Sequence, residues 1–179
     1  MTVLNLLKTY PELLDLAFLS EHDRKELLLK IFVRDIEENQ ELKFRDKRIY
    51  PIKDDGPIEM GREFTHLTCK EMDEDGSGVN RRVFDMNRSR RLHWIKPHIM
   101  ETIQENGIEV FSVVERDREK RKDVFRTYIY NTVQKYVIVM EPQVRNGKAY
   151  YLLTAYYLDE DYGEKMMKKK MKKRCQEVL

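Results

Sequence analysis

The chain has 179 residues, 37% of them charged, with 34 lysines and arginines against 32 aspartates and glutamates and a formal net charge of +2. That length suits one domain whose core needs no disulfide or metal support, and so much charge beside only 7 glycines and 5 prolines argues for a folded, heavily solvated domain rather than disorder. The near-neutral total argues against a strong non-specific polyanion binder, although the almost wholly basic run from Lys165 to Arg174 keeps nucleic acid open as a partner.

In chain order, residues 4–38 read as two short helices, an appendage spanning 1–41 ahead of a main domain spanning 42–179. Leu13, Leu14, Ala17 and Phe18 recur at helical spacing after Pro11, a residue suited to a first turn. Ser20 caps the second helix with Asp23 three residues on, and Leu27, Leu28 and Ile31 form its apolar stripe. Lys8, Pro11, Glu12 and Asp15 interrupt the apolar start, so no secretory or membrane-spanning segment is expected and the chain reads as cytoplasmic. No chemical motif marks this appendage; packing or partner contact is its expected role. Residues 42–61, with Pro51 and Asp55-Gly56-Pro57, read as a surface loop.

Alternation of Phe64, His66 and Thr68 with Thr65, Leu67 and Cys69 predicts a strand. A Gly-containing turn from Asp73 to Asn80 and a return over Arg82 to Phe84 complete a small hairpin. Asp85 or Asn87 then opens a helix with Leu92, Ile95, Ile99 and Ile103 on one face and Asn106-Gly107 as its stop. Pro97 predicts a kink or a break into two pieces, and Trp94 is expected in the core. Four segments rich in β-branched and aromatic residues follow: 108–114, 125–131, 136–140 and 149–158. Their short links, with Asn146-Gly147 as a tight turn, demand antiparallel neighbours. From Asp159 onward a helix carries Met166, Met167 and Met171 on one side and lysines around the rest. The expected fold class is α+β: N-terminal helices, a small hairpin, then a helix followed by a four-stranded antiparallel meander and a basic C-terminal helix.

Period-two geometry places Arg126, Tyr128, Thr154 and Tyr156 on one sheet face. A guanidinium that forks onto phosphate, with hydroxyls that donate to it, would suit a phosphodiester; an ordinary half-exposed sheet would carry the same residues. His66 has the near-neutral pKa that suits a general base or acid, whereas His22, His93 and His98 read as structural or exposed. Cys69 and Cys175 lack metal-ligand spacing and read as reduced thiols. Asp73 to Ser77 superficially suggests a calcium loop, but its twelfth position is Phe84 rather than glutamate, so no metal and no cofactor are expected. The lysine tail reads either as a phosphate-contacting surface or as the solvated face of a terminal helix.

Taken together, Phe64-Thr65-His66-Leu67, the run from Arg88 to Pro97 (Arg-Ser-Arg-Arg-Leu-His-Trp-Ile-Lys-Pro), Phe125 to Tyr130 and Tyr150 to Leu158 resemble the phage-associated nuclease domains grouped with the barnase, EndoU, colicin and RelE superfamily. The resemblance covers residues 42–174 and rests most on the Thr154-Ala155-Tyr156 strand and the Trp94-Ile95-Lys96-Pro97 ending. It implies a metal-independent endoribonuclease of phage or toxin type, with its active site on an open sheet face. The ribose 2′-hydroxyl would attack and leave a 2′,3′-cyclic phosphate. His66 would be the general base or acid, Arg126 would stabilise the transition state, and Thr154 and Tyr156 would orient the scissile phosphate. Tyr128, Lys96, Lys168, Lys169 and Lys172 would bind substrate. RNA and an antitoxin or immunity protein are the implied partners. The rival readings are a non-catalytic nucleic-acid or protein-binding module on the same fold, and a phage-derived protein whose N-terminal helices drive oligomerisation.

Overall fold

The computed structural model describes residues 10–51, 59–72, 81–118, 120–143 and 149–179. The start of the expected first helix and the turns read at Asp55-Gly56-Pro57, Asp73 to Asn80 and Asn146-Gly147 lie outside the described residues.

The segment before Ser20 is not the helix that its spacing predicts. Leu14 and Leu16 alternate into the core, both fully buried, while Ala17 and Phe18 face outward. The Leu14 N–H donates to the Arg90 carbonyl at 3.0 Å and the Leu14 carbonyl accepts from Arg90 Nε at 3.0 Å, so a distant residue takes the backbone groups a helix would pair. Ser20 then caps α1 (Glu21–Phe32) through the Asp23 N–H, as expected. A π-type turn over Val33–Glu37 closes the helix.

Residues 42–61 hold more than a loop: β1 (Lys43–Phe44) and β2 (Lys47–Pro51) form an antiparallel pair turned by Arg45 in the left-handed region, at φ 56°. Phe44 and Ile49 are buried among exposed or half-exposed Lys43, Arg45, Lys47 and Arg48, a polarity that hides the strands in the sequence. The expected strand over residues 64–68 is a helix, α2 (Met60–Thr68), and strand structure begins only at β3 (Cys69–Met72), which pairs with β4 (Arg81–Phe84). Two periods compete here. Met60, Glu63, Phe64 and Leu67 make a helical stripe against the core, and the β-branched threonines that suggest a strand bond back along the helix. Thr65 Oγ1 donates to Gly61 O at 2.9 Å, and Thr68 Oγ1 donates to Phe64 O at 2.8 Å.

The expected central helix is broken into α3 (Met86–Ser89), a 3-10 turn over Leu92–Trp94 and α4 (Ile95–Ile99). Asp85 caps α3 through the Arg88 N–H at 2.9 Å. Pro97, with no N–H to give, stands in the first turn of α4. The helix ends at Ile99, with Glu101 in the left-handed region (φ 51°) and Thr102 N bonded to Pro97 O; Ile103 is outside it.

Strands β5 (Ile108–Asp117), β6 (Lys122–Asn131), β7 (Tyr136–Pro142) and β8 (Ala149–Tyr157) pair antiparallel in chain order. They do not form a sheet of four, however. β2 adds parallel to β8, giving a six-stranded mixed sheet in the order β1-β2-β8-β7-β6-β5. Gly107 leads into β5 at φ 93°; a Cβ there would meet Thr132 Oγ1 at 2.6 Å.

One face of the sheet, with Ile129, Ile138, Met140, Tyr150, Leu152 and Ala155, packs on Leu14, Leu16, the leucines of α1 and Trp94, Ile95 and Ile99. The described part of the N-terminal segment thus shares the main core. The other face, with Phe111, Val113, Tyr128, Tyr130, Val137 and Val139, is covered by α5 (Asp161–Lys172) through Met167 and Met171. Gly163 lets this helix approach, since a Cβ there would meet Leu158 at 2.9 Å. Among the described residues no helix is long and apolar enough to cross a membrane.

Candidate functional site

β2 pairs with only the first part of β8, from Ala149 to Leu152. Beyond Leu152 the register against β7 shifts, with Met140 opposite Leu152 but Val139 opposite Thr154, so one residue bulges. The bulge turns the strand over between Leu152 and Thr154, and leaves Thr154 and Tyr156 on the same face as Arg126 and Tyr128, as period-two geometry expects. Tyr150 and Leu152 belong to the inner core, whereas Tyr156 packs with Tyr128 in the outer cluster and Thr154 pairs with Val139 of that cluster.

At this end of β8 a side chain from α3 joins two expected site residues. Arg88 Nη1 donates to His66 O at 2.6 Å, to Cys69 O at 2.7 Å and to Thr154 Oγ1 at 3.4 Å. These carbonyls lie at the end of α2, where a cation also meets the negative end of the helix. Ser89 Oγ reinforces the contact by donating to Thr68 O at 2.9 Å. Burial pulls the Arg88 guanidinium below its ordinary value, with the Asp85 charge opposing. Three residues along, Arg91 is buried; its guanidinium stacks 3.9 Å from the Tyr157 ring centre and donates to Asn87 O at 2.7 Å.

His66 is half-buried, and its imidazole is pushed down to about 4, first by burial and then by the charges of Arg82 and Arg62, with Glu71 opposing. It is therefore neutral near pH 7. Tyr156 is pushed up to about 12 by burial and the Glu115 carboxylate, against the pull of Arg88, so its phenol keeps its proton. Arg88 thus ties the His66 backbone to the Thr154 hydroxyl at the junction of α2, α3 and β8, and its charge acts on the His66 imidazole and on Tyr156.

Of the other expected site residues, Arg126, Tyr128 and Lys96 are engaged with partners of their own. Arg126 is clamped between two strands, donating to Asp117 at 2.9 Å and to Glu141. Tyr128 is buried under α5; its hydroxyl donates to Glu115 at 2.9 Å and accepts from Lys170 at 3.1 Å, and its pKa is raised by burial and Glu115. Lys96, on α4, reaches toward Asp35 at 3.9 Å. Lys168, Lys169 and Lys172 are exposed and line a shallow groove of about 320 Å³ on the outward side of α5 with Tyr162, Lys165 and Met166. Among the described residues the sheet face that the resemblance implies as open is covered around Tyr128 by Met167 and Met171 of α5. Among the described residues no three His, Cys, Asp or Glu side chains gather in a way that could hold a metal ion.

Arg88 is the residue that sequence reasoning passed over. Its signal was present as an arginine pair at i and i+3, Arg88 and Arg91, in a segment with few carboxylates to pair them. No protein-family model, no curated protein and no solved structure matches this chain.

Proposed function

We propose that the protein is a metal-independent endoribonuclease of phage or toxin type, working at the junction of α2, α3 and β8 rather than on an open sheet face. The observation that carries this reading is the single guanidinium, Arg88, bonded to both the His66 carbonyl and the Thr154 hydroxyl. The same guanidinium acts by its charge on the His66 imidazole and the Tyr156 phenol, and an imidazole, a hydroxyl, a phenol and a cation are groups that can serve transesterification of RNA.

In the reaction proposed, His66 takes the proton of the ribose 2′-hydroxyl as its oxygen bonds to phosphorus. The bond from phosphorus to the 5′-oxygen breaks, and that oxygen receives a proton from Tyr156 or solvent. Thr154 orients the phosphate. The role implied for Arg126 fits poorly with its two carboxylate partners, which already take its charge. Lys168, Lys169 and Lys172 would track the RNA backbone by releasing counterions; an antitoxin or immunity protein would be the matching partner.

RNA incubated with the purified protein in EDTA should be cut to 2′,3′-cyclic phosphate ends. His66→Ala and Thr154→Ala should each slow cleavage by about 100-fold or more, with Arg126→Gln much milder. Lack of cleavage by the wild type, or equal activity in the His66 and Thr154 variants, overturns the reading. A second reading, a binding module on the same fold, is favoured by the coverage of the sheet face by α5. It predicts salt-dependent RNA binding without turnover.

A further inference from the structure

We infer that the junction of α2, β4, α3 and β8 is a phosphate-binding site in which Arg88 grips the phosphate between Thr154 and His66. The inference rests on the nuclease reading for its substrate, an RNA phosphodiester, but phosphate binding requires no catalysis.

Three observations carry it. First, Arg88 has no carboxylate bonded to its side chain among the described residues: its three side-chain bonds all run to neutral oxygens, from one nitrogen, and its Nε is buried with no acceptor. Asp85, whose charge acts on it, accepts the Arg88 backbone N–H as the cap of α3. A half-buried guanidinium left in this state carries a charge that an anion can still match. Second, the same three bonds pin the side chain, so its geometry is fixed before any ligand arrives and little is lost in ordering it. Third, the charged groups around His66 are mostly cations. Arg62 on its own helix, Arg82 on β4 and Arg88 on α3 stand against Glu71 on β3, and Glu71 is engaged with Arg82 at 2.6 Å.

The site also supplies what the proposed base lacks. An imidazole near 4 is a weak base at neutral pH. A phosphate bound beside it places negative charge where the protonated form is otherwise repelled, raising His66 toward the range of an effective base. Binding and proton affinity are linked, and the linkage is reciprocal.

The test is an NMR titration of His66 in the full chain, with inorganic phosphate as the probe and chloride at matched ionic strength as the control. Phosphate should raise the His66 pKa saturably by about one unit or more, equally in wild type and Arg126→Gln. Arg88→Gln should abolish the effect, and Arg88→Lys should restore part of it with weaker binding. Should Arg88→Gln fail to fold, Arg82→Gln on the exposed hairpin decides, weakening phosphate binding several-fold. An insensitive His66 in the wild type, or an unchanged response in Arg88→Gln or, where that variant does not fold, in Arg82→Gln, overturns the inference. RNA cleavage is read alongside. A phosphate-linked His66 in a protein that leaves RNA intact upholds the site and removes the nuclease reading; RNA cleavage with an insensitive His66 does the reverse.

Discussion

Arg126 and Arg88 are both half-buried arginines reaching across elements, and their surroundings are opposite. Arg126 lies in the sheet with a carboxylate on each flanking strand, Asp117 and Glu141. Arg88 stands beside the strand, and among the described residues its side chain bonds to carbonyls and a hydroxyl. The first has its charge matched within the fold. The second is held by dipoles, which fix a guanidinium without cancelling it. An arginine's place on a sheet face therefore says less about ligand binding than the charge of its partners does.

Stability measurements break this comparison most directly. Arg126→Met leaves two largely buried carboxylates without their guanidinium, and urea denaturation should show a loss of about 3 kcal/mol. Adding Asp117→Asn and Glu141→Gln should recover a good part of it; a loss below about 1 kcal/mol would mean that the clamp carries no more than a surface ion pair.

The next effect is with pH. His98 is nearly buried, with Nδ1 against the Trp94 carbonyl and Nε2 against Asn131, and burial lowers it to about 4. His66 is lowered to about 4 as well. The unfolded chain takes up these protons near pH 6.5, so stability is complete above that pH and falls as pH drops toward 4, by on the order of 2 to 3 kcal/mol for His98 alone. His66, being half-exposed, adds less. Arg82→Gln should raise the His66 pKa and leave His98 in place, which separates the arginine junction from simple burial.

For Arg88→Gln the cost should be about 1 to 3 kcal/mol, set by the His66 and Cys69 carbonyls that lose their donor. A larger loss would make Arg88 chiefly a structural clamp on the end of α2.

The legible parts of this fold were those in which pattern and packing agree. The segments read at 108–114, 125–131 and 136–140 all lie in strands, because β-branched and aromatic runs in a buried sheet leave little choice. The Ser20 cap was legible because its chemistry is local. What failed was decided by distant partners. Leu13 to Phe18 has helical spacing, yet Arg90 takes the backbone groups of Leu14. β2 exists because β8 offers it an edge, which no local window shows. At the candidate site, Thr154 and Tyr156 stand on a recognisable strand, whereas His66, whose alternation with its neighbours predicts a strand, lies on a helix. The bulge after Leu152 and the coverage by Met167 and Met171 had no local signature.

The smallest expected effect on stability concerns the lysines of α5. Lys168, Lys169 and Lys172 are exposed, so replacing all three by glutamine should change stability by roughly 0.5 kcal/mol or less. Their effect belongs instead to the salt dependence of RNA binding. Each lost contact to a single strand should reduce the slope of log affinity against log salt by about 0.7, or roughly 2 for the triple variant. Arg88→Gln should weaken binding of phosphate at its own site and alter that slope by no more than one contact's worth. An unchanged slope in the triple variant would make the outward side of α5 a solvated helix face, leaving the arginine junction to account for any RNA affinity.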